Sequence, residues 1–285
     1  KAFSERLKLA RPLMRHQVPA VRALAELGYR ALLADDMGLG KTTTAIAAYA
    51  HSRTEDGAAG ARPRSLLVVC PASVKWNWAR EIRAVLGETT TIGVIDGTPL
   101  KRRAILERVQ ARDFEAVVIN YDLLVHLKDP DKELLRDLAA ESFLVCDESH
   151  YLKDDDAART KAVRSWKPTH TLLLTGTPVR NTVMDLFPQI DLLAPGLFHS
   201  KWTFRAEFCV LGDMYLGKRK IQKIVGSKNL DKLNAVVGTL QIRRRKEEVL
   251  TLPPKLRQRI DLEMDPVTAQ IYDAMRSQWV YEFGE

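Results

Sequence analysis

Short apolar runs alternate with stretches of helical periodicity along most of the chain. Six of these runs are predicted to be β-strands: residues 31–34, 65–70, 90–95, 116–119, 143–146 and 171–174. The stretches between them have the spacing of helices, as do residues 3–27. Apolar strands that alternate with helices are typical of a parallel sheet with helices on both faces. The pattern therefore predicts an α/β fold, in which ligands collect at the carboxyl ends of the strands.

The first predicted strand leads through a turn with two glycines into a helix that begins near Lys41, with the sequence D-D-M-G-L-G-K-T. Gly38 and Gly40 allow successive backbone N–H groups to point at one anion, and the helix adds the positive end of its dipole. Lys41 supplies a charge for the β- and γ-phosphates, and the Thr42 hydroxyl suits Mg²⁺. The turn predicts a nucleoside triphosphate site, although Asp35 replaces the first glycine of the usual G-x-x-x-x-G-K-[ST] pattern. The predicted contact residues are Asp36, Met37, Gly38, Leu39, Gly40, Lys41, Thr42 and Thr43.

Two further polar clusters follow predicted strands. D-E-S-H comes after the strand that ends at Cys146, and T-G-T-P comes after the strand that ends at Leu174. Because Mg²⁺ keeps most of its hydration shell, we expect Asp147 to hold it through water, and Glu148 to orient and deprotonate the attacking water. The hydroxyls of T-G-T-P are expected to bond the acidic cluster. Taken singly, the first cluster is also consistent with an exposed acidic turn, and the second with an ordinary turn.

Composition narrows the class of protein. The chain of 285 residues is 46% hydrophobic and 28% charged, which is ordinary for a soluble globular protein. No apolar run approaches the length of a membrane span, so we expect no membrane partner. The three cysteines are far apart and none is in a C-x-x-C pair, so we expect no zinc. They favour a reducing, intracellular setting, in the cytoplasm or nucleoid, or in the nucleus of a eukaryote.

Positive charge is concentrated in one segment of the chain. Residues 215–260 carry thirteen Lys and Arg against three acids, a net charge of +10, whereas the whole chain has +8 and the remainder therefore −2. A basic block on a nearly neutral body indicates contact with a polyanion such as nucleic acid. A solvated surface is the alternative, and it is the more common meaning of a charge run alone.

Six motifs occur in order along the chain: D-D-M-G-L-G-K-T, V-V-C-P-A-S-V-K-W-N-W-A-R-E, V-V-I-N-Y-D-L-L, C-D-E-S-H-Y-L-K, L-L-L-T-G-T-P-V-R-N and I-R-R-R-K-E-E-V-L-T-L-P-P-K. Together they resemble the first motor lobe of the SWI/SNF-type ATPases of helicase superfamily two. D-E-S-H-Y-L-K, in place of the commoner D-E-A-H form, is similar to the annealing-helicase branch. The resemblance implies a RecA-like P-loop NTPase lobe that uses ATP and Mg²⁺, in a protein that translocates on double-stranded DNA.

The resemblance also implies roles for individual residues. Gln17 matches the glutamine that reads adenine, although a glutamine taken alone is more typical of a helix surface. The catalytic residues would be Lys41, Asp147 and Glu148, with Thr42 and Asp147 serving the metal. The coupling residues would be His150, Thr175, Gly176 and Thr177. The DNA contacts would be Pro71, Ser73, Lys75, Asn120, Tyr121, Arg243, Arg244 and Arg245.

We predict three parts of the chain from these motifs. Residues 1–196 would form the RecA-like ATP-binding lobe, residues 197–260 a mostly helical basic protrusion, and residues 261–285 the start of a linker to a second RecA-like lobe. Nothing after Pro266 resembles that second lobe, in which the resemblance implies that the family's arginine finger lies. Two alternatives remain: a strand-separating helicase or RNA-directed ATPase of the same superfamily, and a non-catalytic lobe that docks DNA or a partner.

Overall fold

The structure is a computed structural model that describes residues 2–54, 63–179, 182–216, 219–251 and 258–283. The chain divides into two compact units, Lys1–Val249 and Leu250–Glu285. The described residues form nine strands: β1 (Arg30–Leu33), β2 (Leu66–Cys70), β3 (Ile92–Val94), β4 (Ala116–Asn120), β5 (Phe143–Asp147), β6 (His170–Leu174), β7 (Cys209–Leu216), β8 (Arg219–Ser227) and β9 (Gln241–Ile242). They also form thirteen α-helices: α1 (Ala2–Arg6), α2 (Gln17–Glu26), α3 (Lys41–Ser52), α4 (Lys75–Leu86), α5 (Pro99–Gln110), α6 (Tyr121–His126), α7 (Asp131–Ala140), α8 (Ala158–Ser165), α9 (Phe187–Leu193), α10 (Lys201–Phe208), α11 (Leu230–Gly238), α12 (Lys246–Val249) and α13 (Pro266–Phe283).

Seven strands form one sheet in the order β3-β4-β2-β5-β6-β1-β9, and every neighbouring pair is parallel. The two faces of each central strand enter different cores. On β2, Leu66 and Val68 pack into a core with helices α2, α3 and α4, whereas Leu67 and Val69 pack into a core with helices α5 to α8. The predicted sheet with helices on both faces is therefore confirmed, because strands buried on both sides need apolar residues at every position.

The first 27 residues are less helical than their periodicity predicts. Only α1 and α2 are helical there, and residues 7–16 between them are not. Pro12 explains the interruption, because proline lacks an N–H donor and its ring collides with a preceding helical turn. The irregular segment brings the start of α2 beside the loop that follows β1, as its hydrogen bonds to Leu39 and Gly40 show.

The basic segment 197–260 differs from the predicted mostly helical structure. Helices α10 and α11 flank an antiparallel hairpin, β7 and β8, whose first strand is Cys209–Leu216. The hairpin lies over a third apolar core that includes Phe204, Phe208 and Leu233. In strand β8 the half-buried Ile221 and Ile224 are separated by the exposed Gln222 and Lys223, and this spacing obscured the strand pattern in the sequence. After α11 the chain returns to the large sheet as β9, beside β1.

The second unit, Leu250–Glu285, contains helix α13. Its side chains Val267, Ile271, Tyr272 and Met275 are exposed. Within the described residues, no helix combines the length and apolar character that crossing a membrane requires.

Candidate nucleotide-binding site

The turn between β1 and α3, residues 34–41, forms a loop that we call the phosphate loop. Gly38 has φ of 88°, and Gly40, the residue before the first turn of α3, has φ of 75° and ψ of 44°. These left-handed values favour glycine. A β-carbon at Gly40 would also lie 2.5 Å from Nε2 of Gln17, so the buried Gln17 amide would have to move away from the loop. The two glycines are therefore required by the backbone of this loop, as the sequence predicts.

Gln17 lies at the start of α2 and is buried against the phosphate loop. Its Nε2 donates to the carbonyl oxygen of Gly40 at 3.3 Å, and its Oε1 accepts from the backbone N–H of Met14 at 2.9 Å. The ring of the neighbouring His16 lies 3.0 Å from the Leu39 carbonyl oxygen. Gln17 is therefore not a helix surface residue, because it ties α2 to the loop. Its role in reading adenine stays a prediction.

Lys41 is the first residue of α3 and its ammonium lies inside the loop. Nζ donates to the carbonyl oxygens of Asp35 at 2.7 Å and of Asp36 at 3.4 Å. Burial lowers the pKa of the Lys41 ammonium, and four carboxylates oppose this effect: those of Glu148, Asp35, Asp147 and Asp36. The two predicted acids are therefore electrostatic neighbours of the predicted phosphate-binding lysine, although they lie more than a hundred residues away in the sequence.

Strand register explains this proximity. Leu174, the last residue of β6, is level with Leu33 of β1 on one side and with Asp147 of β5 on the other. The phosphate loop and the acidic pair therefore leave the sheet at the same edge, separated by a single strand. Neighbouring strands lie about 4.8 Å apart, and β1 and β5 are two such spacings apart. One small ligand can therefore be held between the ends of these two strands.

The Asp147 carboxylate is held in a fixed orientation. Its Oδ2 accepts from the indole Nε1 of Trp78 at 2.8 Å, and its Oδ1 accepts from the backbone N–H of Glu148 at 2.9 Å. Burial raises the pKa of this carboxyl group, and the Trp78 hydrogen bond acts in the opposite direction. Trp78 is almost fully buried, so the indole is itself rigidly placed. The sequence does not reveal this partner, because it lies 69 residues from Asp147.

Glu148, His150 and the T-G-T-P turn form a connected polar chain. Glu148 has a left-handed backbone (φ 48°, ψ 53°), and its Oε2 lies 3.1 Å from Nδ1 of His150. That nitrogen lies 3.4 Å from the Thr175 hydroxyl, which accepts from the backbone N–H of Thr177 at 3.1 Å. A β-carbon at Gly176 would lie 3.1 Å from the Met37 side chain and 3.8 Å from Nζ of Lys41. The four predicted coupling residues therefore bridge the acidic pair and the phosphate loop.

The donor atoms at this edge fit Mg²⁺. The Thr42 hydroxyl and the Asp147 carboxylate present oxygen atoms, which are the ligands that this hard cation prefers. Each carboxylate oxygen of Asp147 accepts one hydrogen bond from the described residues and keeps further lone-pair capacity. The adjacent Thr43 hydroxyl is used differently, because it accepts from the Arg11 guanidinium at 2.8 Å.

Arg244 explains how the chain tolerates aspartate in place of the first glycine. The Asp35 carboxylate is fully buried. Its Oδ1 accepts from the backbone N–H and from Nε of Arg244, each at 3.0 Å, and its Oδ2 pairs with the guanidinium. The guanidinium also donates to the His16 carbonyl oxygen. The predicted DNA contact of Arg244 is therefore corrected, because this side chain is engaged inside the protein.

The other predicted DNA contacts fall into exposed and buried groups. Ser73 lies exposed in the 3-10 turn Ala72–Val74 at the carboxyl end of β2, after the half-buried Pro71, and Arg243 and Arg245 are exposed. Lys75 is buried, and its Nζ lies 2.5 Å from Oδ1 of Asp96.

Two predicted DNA contacts lie at the end of β4 and are buried. Tyr121 donates its hydroxyl to the Asp147 carbonyl oxygen at 2.8 Å and stacks on Tyr151 with ring centroids 5.2 Å apart. The prediction for the Tyr121 side chain is therefore corrected: it supports the acidic strand from within. Asn120 is also buried, and its Oδ1 has no hydrogen-bond partner among the described residues.

This geometry agrees with comparisons with known proteins. Residues 16–284 match the SNF2-related domain. The chain belongs to this family. The resemblance to the SWI/SNF-type ATPases is thereby confirmed, and the chain is an ATPase motor domain of SNF2 type.

Two relatives and one solved structure support the assignment. The mouse (Mus musculus) DNA annealing helicase and endonuclease ZRANB3 is 33% identical over 88% of this chain and 22% of its own length. The TATA-binding protein-associated factor mot1 of Schizosaccharomyces pombe is 30% identical over 98% of this chain and 14% of its own length. The SWI2/SNF2 ATPase core of Sulfolobus solfataricus in complex with dsDNA matches with a TM-score of 0.68 and 25% identity, over 96% of this chain and 54% of that one. The chain thus spans about a fifth or less of the length of these curated relatives.

Proposed function

We propose that this chain is the first motor lobe of an ATP-dependent translocase of double-stranded DNA. The observation that carries the proposal is the placement of Lys41 and of the Asp147–Glu148 pair on the two sides of β6, at one edge of the sheet. A lysine on a phosphate loop that faces a carboxylate pair is the arrangement that phosphoryl transfer to water needs. The related Sulfolobus core bound to dsDNA supports the choice of duplex DNA.

Each residue of the proposed site has a separate task. The N–H groups of the phosphate loop and the start of α3 bind the phosphates. The Lys41 ammonium, which donates to the Asp35 carbonyl oxygen in this structure, would donate to the phosphates instead. Thr42 and Asp147 would hold Mg²⁺, which when bound neutralises charge on the phosphates. Gln17 would contact the adenine at the far end of the nucleotide.

Glu148 would act as the base that orients and deprotonates the attacking water. Nδ1 of His150 lies 3.1 Å from Oε2 of Glu148 and would hold this carboxylate in one orientation. Because the same histidine lies near Thr175, a change at the T-G-T-P turn reaches the base through two short contacts. This turn would therefore relay the state of the nucleotide to neighbouring parts of the motor.

Contact with DNA would depend on phosphates, because movement along any sequence cannot rely on base edges. The exposed residues Ser73, Arg243 and Arg245 are the strongest candidates for these contacts. The segment that contains Ser73 continues into α4, where Trp78 donates to Asp147. A physical connection therefore runs from the proposed DNA contact to the carboxylate that serves the metal.

ATPase assays with three nucleic acids test this proposal. In a protein that contains both lobes, we expect duplex DNA to stimulate ATP hydrolysis more than single-stranded DNA or RNA. Stronger stimulation by RNA or by single strands would instead support a helicase or RNA-directed ATPase. This chain alone should hydrolyse ATP poorly, because a missing arginine finger costs about 10³- to 10⁵-fold in rate in related P-loop systems. Turnover by this chain equal to that of a two-lobe enzyme would contradict the proposed dependence on a second lobe.

A further inference from the structure

The phosphate loop is bordered by a segment that lies about 200 residues later in the chain. We call residues 242–246 the clamp segment. Backbone hydrogen bonds join Ala34 N–H to Ile242 O at 2.7 Å and Asp36 N–H to Arg244 O at 3.1 Å. The backbone N–H of Lys246 donates to Oδ2 of Asp36 at 3.1 Å. The clamp segment therefore follows the first half of the phosphate loop closely.

The side chain of Lys246 extends over Gly38 of the phosphate loop. A β-carbon at Gly38 would lie 3.2 Å from both Cε and Nζ of Lys246. Gly38 is exposed and has a left-handed backbone, so its lack of a side chain leaves room for the ammonium. Within the described residues, no hydrogen bond or ion pair of this ammonium is found. Lys246 is thus anchored through its backbone, while its ammonium has no partner in the part of the chain that the structure describes.

The charges around the loop show what this lysine can neutralise. Four carboxylates attract the Lys41 ammonium electrostatically: those of Glu148, Asp35, Asp147 and Asp36. Arg244 is already paired with the buried Asp35 carboxylate, so it adds no free charge. A triphosphate would bring further negative charge into this acidic surrounding, and one lysine together with a divalent cation leaves part of it unbalanced. A second ammonium over Gly38 is placed to reduce that repulsion through a charge-assisted hydrogen bond.

We propose that Lys246 is a second lysine of the phosphate site and binds the polyphosphate chain of the nucleotide. The inference rests on the proposed function, because it assumes that the phosphate loop holds a nucleoside triphosphate. Arg244 acts as a positioning residue that keeps the clamp segment, and hence Lys246, against the loop. The basic segment then has two uses, since part of its positive charge serves the nucleotide and not DNA.

Nucleotide titrations of this chain test the proposal. Fluorescent analogues of ATP and AMP are titrated, with Mg²⁺ at fixed salt, into the wild type and into Lys246→Met, Lys246→Arg and Lys132→Met. We expect Lys246→Met to weaken binding of the ATP analogue by about tenfold, as for the loss of one charged hydrogen bond. Binding of the AMP analogue should stay unchanged, and Lys246→Arg should recover most of the ATP affinity. Lys132→Met removes an exposed lysine from α7, which packs on the face of the sheet opposite to α3, and serves as the matched control.

Three results would overturn the inference. They are unchanged ATP affinity in Lys246→Met, an equal loss for the ATP and AMP analogues, and failure of Lys246→Arg to recover binding. An equal loss would show that the loop itself had been distorted. A wild-type chain that binds ATP no better than AMP would instead contradict the proposed function, so the two failures are distinguishable.

Discussion

The two edges of the large sheet have different chemistry although the same strands form both. At the carboxyl edge, β1, β5 and β6 end in the phosphate loop, the Asp147–Glu148 pair and the T-G-T-P turn. At the amino edge, the same three strands begin among aromatic rings. Phe143 stacks on His170 with centroids 5.6 Å apart, and Tyr29 makes a T-shaped contact with each of these rings. The comparison indicates that one edge stabilises the sheet while the other is available for chemistry.

Burial acts on titratable groups at both edges, with different consequences. At the amino edge, burial raises the pKa of Tyr29 to about 12, and its hydroxyl lies 2.7 Å from Nδ1 of His51, so both groups are satisfied inside the core. At the carboxyl edge, burial raises the pKa of Asp147 and lowers that of Lys41. These groups share an open edge of the sheet, where a charged ligand and a cation can reach them. A shifted pKa therefore indicates a functional group only where a ligand can reach that group.

The largest effect that separates the two edges is expected from Lys41→Ala. In the two-lobe protein this change should lower ATP hydrolysis by about 1,000-fold, because it removes the fixed charge that faces the phosphates. Salt-sensitive binding of duplex DNA and the thermal unfolding temperature should stay close to wild type. Steady-state ATPase assays and a DNA titration measure both effects, and retained hydrolysis would count against the phosphate role.

A change at the amino edge should act on stability. Phe143→Ala removes a fully buried ring that contacts Tyr29, Tyr49 and His170. We expect the free energy of unfolding to fall by about 3 kcal/mol, as for other large-to-small changes in cores. Urea denaturation measures this loss, and Phe143→Leu, which should lose less, is available if the alanine variant does not fold. An unchanged unfolding midpoint would show that the aromatic cluster does not stabilise the sheet.

Two tryptophans on α4 provide a matched pair for the carboxyl edge. Trp78→Phe keeps a buried ring but removes the donor to Asp147, so we expect the maximal ATPase rate to fall about tenfold. Trp76→Phe makes the same replacement at an exposed residue whose indole donates to Asp96 and not to Asp147, and it should leave the rate unchanged. Binding of the ATP analogue, measured separately, should change less than the rate in Trp78→Phe. Equal maximal ATPase rates in the two variants would show that Trp78 does not position Asp147.

The smallest expected effect is a pH dependence of stability from His170 at the amino edge. Burial, and then the charge of Arg30, lowers the pKa of His170 below its usual value of 6.5. The unfolded chain therefore binds the proton more readily, so stability is complete above about pH 6.5 and is lost as the pH falls. The slope for one such group cannot exceed about 1.4 kcal/mol per pH unit.

Urea denaturation between pH 5 and pH 8 measures this slope. His170→Phe should flatten the pH dependence, whereas replacing the exposed His126 by Gln on α6 should leave it unchanged. An identical slope in wild type and in His170→Phe would show that another group is responsible.

The central part of the fold followed from local patterns. Six predicted strands and the helix at Lys41 are found in the structure, since strands buried on both faces need continuous apolar runs. The hairpin β7–β8 did not follow, because the exposed Lys223 lies between Ile221 and Ile224 and interrupts the apolar alternation on which strand prediction depends. The break between α1 and α2 was signalled only by Pro12.

The sequence by itself determined which residues could bind phosphate and metal: two glycines, Lys41 and a pair of acids at strand ends. Only the tertiary structure decided which partners hold them. Arg244 reaches Asp35 across 209 residues, and Trp78 reaches Asp147 across 69. The physical reason is that local periodicity specifies strands and helices, whereas the order and register of the strands decide which side chains meet. Parallel strands that end at one edge bring together groups that are distant along the chain.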